Sequence, residues 1–97
     1  MRTITEIPND STLRVIDFYA SWCGHCREIK PFLEKEETKN PDIEFCLIDV
    51  DTVSSDVLDK FDIEELPFVV AIKNGEIKSV YKEGEGSLSS WISFIKW

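Results

Sequence analysis

The chain reads Val15-Ile16-Asp17-Phe18-Tyr19-Ala20-Ser21-Trp22-Cys23-Gly24-His25-Cys26 from residue 15 to residue 26. The mostly apolar run 13–20 predicts a β-strand that is buried on both faces. After the second cysteine, apolar residues recur at a spacing that predicts the inward face of a helix, namely Cys26, Ile29, Phe32 and Leu33. The two cysteines therefore stand where a buried strand joins a helix.

The rest of the chain predicts a sheet covered by helices. Charged side chains form the outer face of the first helix, which contains Pro31 and ends at Asn40-Pro41; they are Arg27, Glu28, Lys30, Glu34, Lys35, Glu36 and Glu37. Residues 3–7 predict a weak edge strand, and residues 43–50, 68–72 and 77–81 predict three further strands. Ser54 and Ser87 are N-cap residues for two more helices, and Asn74-Gly75 is typical of a hairpin turn. The order β-β-α-β-α-β-β-α predicts an α/β domain with helices on both faces of a central sheet.

The pair Cys23 and Cys26 has the spacing of a redox-active dithiol. Exchange needs one accessible thiolate that attacks and a second thiol that resolves the mixed disulfide. Cys23 falls in the first turn of the helix, where unpaired N–H groups and the dipole favour a negative sulfur, while Cys26 is aligned with the inward face. We therefore expect an exposed Cys23 and a shielded Cys26. Gly24 would let the turn close without a Cβ, and a protonated His25 would stabilise the Cys23 thiolate.

A structural zinc site is the alternative interpretation of the two cysteines. Zinc needs four ligands, and Cys46 and His25 are the remaining soft donors in the sequence. Cys46 lies in the middle of a predicted strand and is expected to be a small buried side chain. The sequence therefore favours redox chemistry and predicts no metal.

Two more residues point to the same place. Asp17 stands inside an apolar strand six residues before Cys23, so burial should raise its pKa and make it a proton partner for Cys26. The alternative is that Asp17 points outward at an irregular edge. Pro67 precedes a predicted strand, and spacing alone favours a trans proline at a strand edge.

Composition limits the classes of protein. The chain has 97 residues, enough for one domain spanning residues 1–97, and 11 basic against 19 acidic residues give a formal net charge of −8. Such acidity argues against nucleic-acid binding. We find no apolar run of membrane-spanning length and no signal-peptide pattern, so we expect a cytoplasmic protein without a membrane partner. An endoplasmic reticulum protein whose signal peptide was removed is the alternative.

The quoted segment, together with Pro31, Leu66-Pro67 and residues 73–76 (Lys-Asn-Gly-Glu), resembles the thioredoxin superfamily over nearly the whole chain. The resemblance implies a thioredoxin fold, a central mixed β-sheet flanked by helices. It implies that Cys23 attacks, that Cys26 resolves, and that Asp17 is the buried acid. It also implies a cis peptide bond at Pro67, which reverses the expectation from spacing. The Leu66 backbone would bind an extended substrate, with Trp22 and Gly24 lining the docking site.

The dipeptide Gly24-His25 is similar to that of protein disulfide isomerase domains, whereas Asp17 is similar to thioredoxin. Three departures from the family pattern matter. The Lys that often pairs with the buried acid is replaced by Leu47 in our alignment, and the Arg that aids isomerase reoxidation is replaced by Glu85, after Gly84. Only sixteen residues precede Asp17, so we expect the first helix of thioredoxin to be missing or reduced to one turn around residues 9–12.

The sequence therefore predicts a thiol–disulfide oxidoreductase that acts on protein disulfides and needs no cofactor beyond the Cys23–Cys26 disulfide. We expect a monomer that receives electrons from a thioredoxin-reductase-like protein or from glutathione. A protein disulfide isomerase-type oxidase or isomerase is the main alternative. A module that binds clients through the Leu66-Pro67 region without turnover is a more remote one.

Overall fold

A computed structural model describes residues 1–84 and 86–96, so Glu85, which bears on the isomerase comparison, lies outside the described residues, as does Trp97. Five strands and three helices follow the predicted order. They are β1 (Arg2–Thr3), β2 (Arg14–Tyr19), α1 (Gly24–Lys39), β3 (Glu44–Asp49), α2 (Ser55–Leu58), β4 (Phe68–Lys73), β5 (Glu76–Tyr81) and α3 (Leu88–Ile95).

The five strands form one mixed sheet in the order β1-β3-β2-β4-β5. Strands β1, β3 and β2 are parallel to one another, and β2–β4 and β4–β5 are antiparallel pairs. Strand β2 therefore lies at the centre, paired on both sides, and its C-terminal end leads directly into α1. This arrangement confirms the mixed α/β sheet that the resemblance implies.

Helices cover both faces of the sheet. On one face, Ile29 and Leu33 of α1 pack with Ile92 of α3 against Val15 of β2. On the other face, residues of and after α2 pack against Ile16 and Phe18. Because side chains alternate along a strand, Asp17 points to the same face as Val15, beneath α1.

Helix α1 buries a different stripe from the predicted one. Its buried residues are Cys26, Ile29, Leu33 and Glu36, whereas Phe32 is 63% exposed. At 100° per residue, Phe32 lies about 80° around the helix from the middle of this stripe, beyond its edge. The predictions that Phe32 faces inward and that Glu36 lies on the outer face of α1 were therefore wrong. The buried Glu36 carboxylate lies 3.6 Å from the Lys39 ammonium.

The ends of the chain and the turns agree with most of the sequence expectations. Strand β1 is shorter than predicted, and within the described residues 9–12 the chain forms bends rather than a helix. Asn74 and Gly75 both have positive φ, 56° and 74°, as a tight hairpin between β4 and β5 requires. The Ser87 hydroxyl accepts a hydrogen bond from the Ser90 N–H and caps α3. Among the described residues, no helix has the length and apolar character that crossing a membrane requires.

Candidate active site

Cys23 and Cys26 form a disulfide at the start of α1, with Cα atoms 5.3 Å apart. Cys23 is the N-cap residue, and its Sγ accepts a hydrogen bond of 3.2 Å from the Cys26 N–H. An N-cap acceptor lies where unpaired N–H groups and the positive end of the helix dipole converge. When the disulfide is reduced, this position favours a thiolate on Cys23.

The two cysteine residues differ little in exposure in this oxidised form. Cys23 is 7% exposed and Cys26 is 4% exposed, so the expectation of an exposed Cys23 was wrong for the disulfide state. Both residues pack with Ala20, and Tyr19, Val50 and Leu66 lie against the same cluster. Cys23 nevertheless lines a surface groove together with Trp22 and Leu66, whereas Cys26 does not line that groove. An incoming sulfur therefore has a path to Cys23.

Asp17 is a buried carboxyl group, not an edge residue. It is 2% exposed, and burial raises its pKa to about 7, with a smaller opposing effect from the Lys30 ammonium. Its Oδ1 has no hydrogen-bond partner in the described part of the chain. In the β2–β3 register Asp17 stands opposite Leu47, the residue that takes the place of the family's Lys in the sequence comparison, so an apolar side chain lies at the neighbouring position on β3. Burial without a paired cation on β3 thus places the pKa of Asp17 close to neutral pH.

His25 lies on the first turn of α1 between two carboxylates. Its Nε2 lies 2.8 Å from both carboxylate oxygens of Glu83, and its Nδ1 lies 3.2 Å from Glu28. Ionised carboxylates only accept hydrogen bonds, so both ring nitrogens donate when His25 is an imidazolium. Glu83, and secondarily Glu28, accordingly raise the pKa of His25. Sequence reasoning missed Glu83, because 58 residues separate it from His25 and no spacing rule joins them.

Two surface grooves meet at Leu66, which precedes Pro67 in a cis peptide bond, the isomer that the resemblance implies. The "tryptophan groove" is lined by Trp22, Cys23, Val50, Leu58, Phe61, Ile63, Glu64, Glu65 and Leu66. The "histidine groove" lies on the other side of Leu66, and its lining includes His25, Pro67, Tyr81 and Glu83. Trp22 is 68% exposed, and its Nε1–H donates to Asp51 over 2.9 Å. Concave surface thus lies on both sides of Leu66, and Cys23 lines the tryptophan groove.

The structure has room for a Cβ at position 24. A Cβ built at Gly24 would come no closer than 3.9 Å to the Arg27 guanidinium, an ordinary contact. The expectation that the missing Cβ of Gly24 lets this turn close was therefore wrong. The turn before α1 is instead closed by a backbone hydrogen bond of 3.1 Å from the Cys23 N–H to the Ala20 carbonyl.

The third cysteine is separate from this site. Cys46 is fully buried in β3, and its thiol donates to the Glu44 carboxylate over 3.3 Å. Burial, together with Glu44, raises the pKa of this thiol to about 11. Among the described residues, no group of three or more His, Cys, Asp or Glu side chains converges in a way that could hold a metal ion.

Comparisons with known proteins agree with this geometry. The sequence model of the family described as Thioredoxin matches residues 4–96. Thioredoxin H2 of Arabidopsis thaliana is 35% identical over 92 residues, which cover 94% of this chain and 68% of that protein. Thioredoxin-1 of Saccharomyces cerevisiae is 41% identical over 64 residues, or 66% of this chain and 61% of that protein. The structure of Plasmodium falciparum thioredoxin superposes with a TM-score of 0.80 at 28% identity, covering 99% of this chain and 97% of that one.

Proposed function

The chain belongs to the thioredoxin family, and on that premise we propose that it reduces disulfides in other proteins through Cys23 and Cys26. Family membership and the Cys23–Cys26 disulfide together point to thiol–disulfide oxidoreductase activity. Thioredoxins work through such a cysteine disulfide without a cofactor. The observation that carries the proposal is the disulfide at the N-cap of α1, above a buried carboxyl group on β2.

In the first step the Cys23 thiolate attacks one sulfur of a client disulfide. A mixed disulfide forms between Cys23 and the client, and the second client sulfur leaves as a thiolate that takes up a proton. The helix N-terminus favours the attacking anion, because the Cys26 N–H already points at the Cys23 sulfur. The extended client chain would lie across the two grooves, with backbone hydrogen bonds to Leu66.

In the second step the Cys26 thiol loses its proton and attacks the Cys23 sulfur. The Cys23–Cys26 disulfide forms, and the client leaves with its second thiol, so two electrons have passed to the client. Asp17 is suited to accept the Cys26 proton, because burial raises its pKa to about 7, where the carboxylate and the protonated form are both populated near neutral pH.

The surroundings of His25 favour a reductant over an isomerase-type oxidase. A lone imidazolium beside Cys23 would stabilise the thiolate and make the disulfide more oxidising. Here Glu28 and Glu83 accept from both ring nitrogens, so the three side chains together carry one negative charge when His25 is protonated. The Gly-His dipeptide therefore brings no net positive charge to the dithiol.

The expected partners and compartment follow from electron transfer to the client. A reductant needs an electron source, and we propose a thioredoxin-reductase-type protein, with glutathione as the alternative donor. A reducing compartment such as the cytoplasm fits this role, and a monomer is sufficient because both cysteines lie in one chain. An oxidising compartment such as the endoplasmic reticulum lumen would fit the isomerase-type alternative.

A trapping experiment tests the chemistry. Cys26→Ser should accumulate mixed disulfides with an insulin substrate, because the resolving thiol is gone, while Cys23→Ser should abolish insulin reduction. Cys46→Ala is the matched control, since it removes the third thiol and should leave turnover intact. Turnover by Cys23→Ser would overturn the assignment. A client-binding module would instead reduce no insulin and would keep its peptide affinity in a Cys23→Ala/Cys26→Ala variant.

The reduction potential tests whether the dithiol reduces or oxidises its clients. Equilibration of the Cys23–Cys26 couple with glutathione buffers, followed through Trp22 fluorescence, should give a value near −270 mV, as for thioredoxin. A value near −180 mV, as for protein disulfide isomerase, would refute the reductase role and favour the isomerase alternative.

A further inference from the structure

The surface around the disulfide carries an excess of exposed carboxylates. Asp62, Glu64 and Glu65 precede the cis proline, and Glu83 follows β5; all four line the grooves and are exposed. Among the described residues that line either groove, Lys82 is the single Lys or Arg. A client that enters these grooves therefore meets four negative charges and one ammonium group.

His25 does not reverse this balance. Its Nε2 lies 2.8 Å from the Glu83 carboxylate and its Nδ1 lies 3.2 Å from Glu28, a fifth carboxylate next to the His25 ring. An imidazolium between two carboxylates leaves the group with one net negative charge. Protonated His25, the cation closest to Cys23 in the sequence, is thus already paired with Glu28 and Glu83.

The surface between these charges is apolar. Val50, Leu58, Phe61 and Leu66 line the tryptophan groove next to Cys23, and the exposed Trp22 ring borders it. A chain that lies along this surface can place an apolar side chain beside its own cysteine. Residues further from that cysteine then reach Glu64 and Glu65, which line both grooves.

We propose that this dithiol acts preferentially on client segments in which basic residues flank an apolar residue and the target cysteine. The inference rests on the proposed reductase function and names its substrate class. Lys and Arg side chains on the client would approach the exposed carboxylates, and an acidic client would meet like charges.

The preference should appear in the rate of encounter and should depend on salt. The carboxylates are exposed, so their field is screened over about 10 Å at 0.1 M ionic strength. Charge complementarity of this kind raises association rates by a factor of about ten or more at low ionic strength. High salt should remove most of that factor, because it screens the carboxylates, while the apolar contact with the groove remains.

Two disulfide-linked peptide dimers test the proposal. They share one sequence with a valine next to the cysteine, and differ in having Lys or Glu at the two flanking positions. The second-order rate constant for reduction by the reduced protein is measured for each at low and high salt. Each value is divided by the rate constant with dithiothreitol, because flanking Lys also makes a cysteine a better leaving group.

We expect the normalised rate for the Lys peptide to exceed that for the Glu peptide by about tenfold at low salt, and the ratio to fall in high salt. The variant Glu64→Gln/Glu65→Gln should lower the ratio at low salt. The control Glu6→Gln/Glu34→Gln removes the same charge from exposed positions outside both grooves and should leave the ratio unchanged.

Equal normalised rates, or an equal loss of preference in the control variant, would overturn this inference and leave the reductase function standing. Reduction of neither peptide by a protein with intact thiols would refute the reductase function, and this inference with it.

Discussion

Asp17→Asn is expected to stabilise the oxidised protein at alkaline pH and to leave its stability in mild acid almost unchanged. The carboxyl group is 2% exposed, and burial raises its pKa from 3.8 to about 7. The folded state therefore holds this proton more tightly than the unfolded state does. Between pH 3.8 and about 7 the unfolded state loses this proton while the folded state keeps it, so the free energy of unfolding falls as the pH rises. Above about pH 7 both states are ionised at Asp17, and the full loss is present.

The size of the effect follows from the difference in pKa. A shift of about three units corresponds to about 4 kcal/mol at 1.36 kcal/mol per unit. This value is an upper one, since water entry and side-chain movement reduce the cost of a buried charge. Asn has nearly the same shape as the protonated carboxyl group and does not titrate. The gain in unfolding free energy from Asp17→Asn should thus grow by up to about 4 kcal/mol between mild acid and alkaline pH.

Urea denaturation of the disulfide form, followed by tryptophan fluorescence, measures this gain at about pH 4, 6 and 8. The rest of the protein titrates equally in both proteins, so the difference isolates position 17. Asp62→Asn is the matched control, because it removes the same group from an exposed position. A stability difference that stays constant with pH would show that Asp17 is not a desolvated carboxyl group and would refute the argument.

Three further predictions test other parts of the structure. Glu83→Gln should lower the pKa of His25, which NMR can follow without assignment because the chain has one histidine; an unchanged titration would contradict the contact. Gly75→Ala should lower the free energy of unfolding by about 1–2 kcal/mol or more, because φ is +74° and the new Cβ would lie 3.1 Å from a neighbouring side chain. Gly84→Ala has a similar φ of +88° but open space, so an equal loss there would show that the contact at Gly75 costs nothing. Phe32→Ala should change the free energy of unfolding by less than about 0.5 kcal/mol, since the ring is exposed; a loss typical of a core residue would contradict the observed face of α1.

Local patterns predicted most of the architecture. The run 13–20 is apolar because β2 is the central strand of the sheet, covered on both faces. A short-range rule is enough for such a strand, as it is for the Asn74-Gly75 hairpin and the Ser87 cap. Asp17 was informative for the same reason, since a carboxyl group in such a run must be buried or must break the strand.

The errors arose where three-dimensional context decides. Apolar spacing could not fix the phase of α1, because Ile29 and Leu33 fit a stripe that continues either to Phe32 or to Glu36. The pairing of His25 with Glu83 joins the first turn of α1 to the segment after β5, and the sheet order that brings them together is not visible in any window of sequence. The low exposure of Cys23 reflects packing against residues from several elements of the fold.

The buried thiol of Cys46 is an internal probe of how often the folded protein opens. The thiol is fully buried in β3 between β1 and β2, at the middle of the parallel half of the sheet. Its side chain belongs to the packed layer that contains Ile16 and Phe18, so an alkylating reagent can reach it only when this layer opens. The rate of modification of this third sulfur in the disulfide form therefore reports how often this side of the native core opens, with no label introduced into the protein.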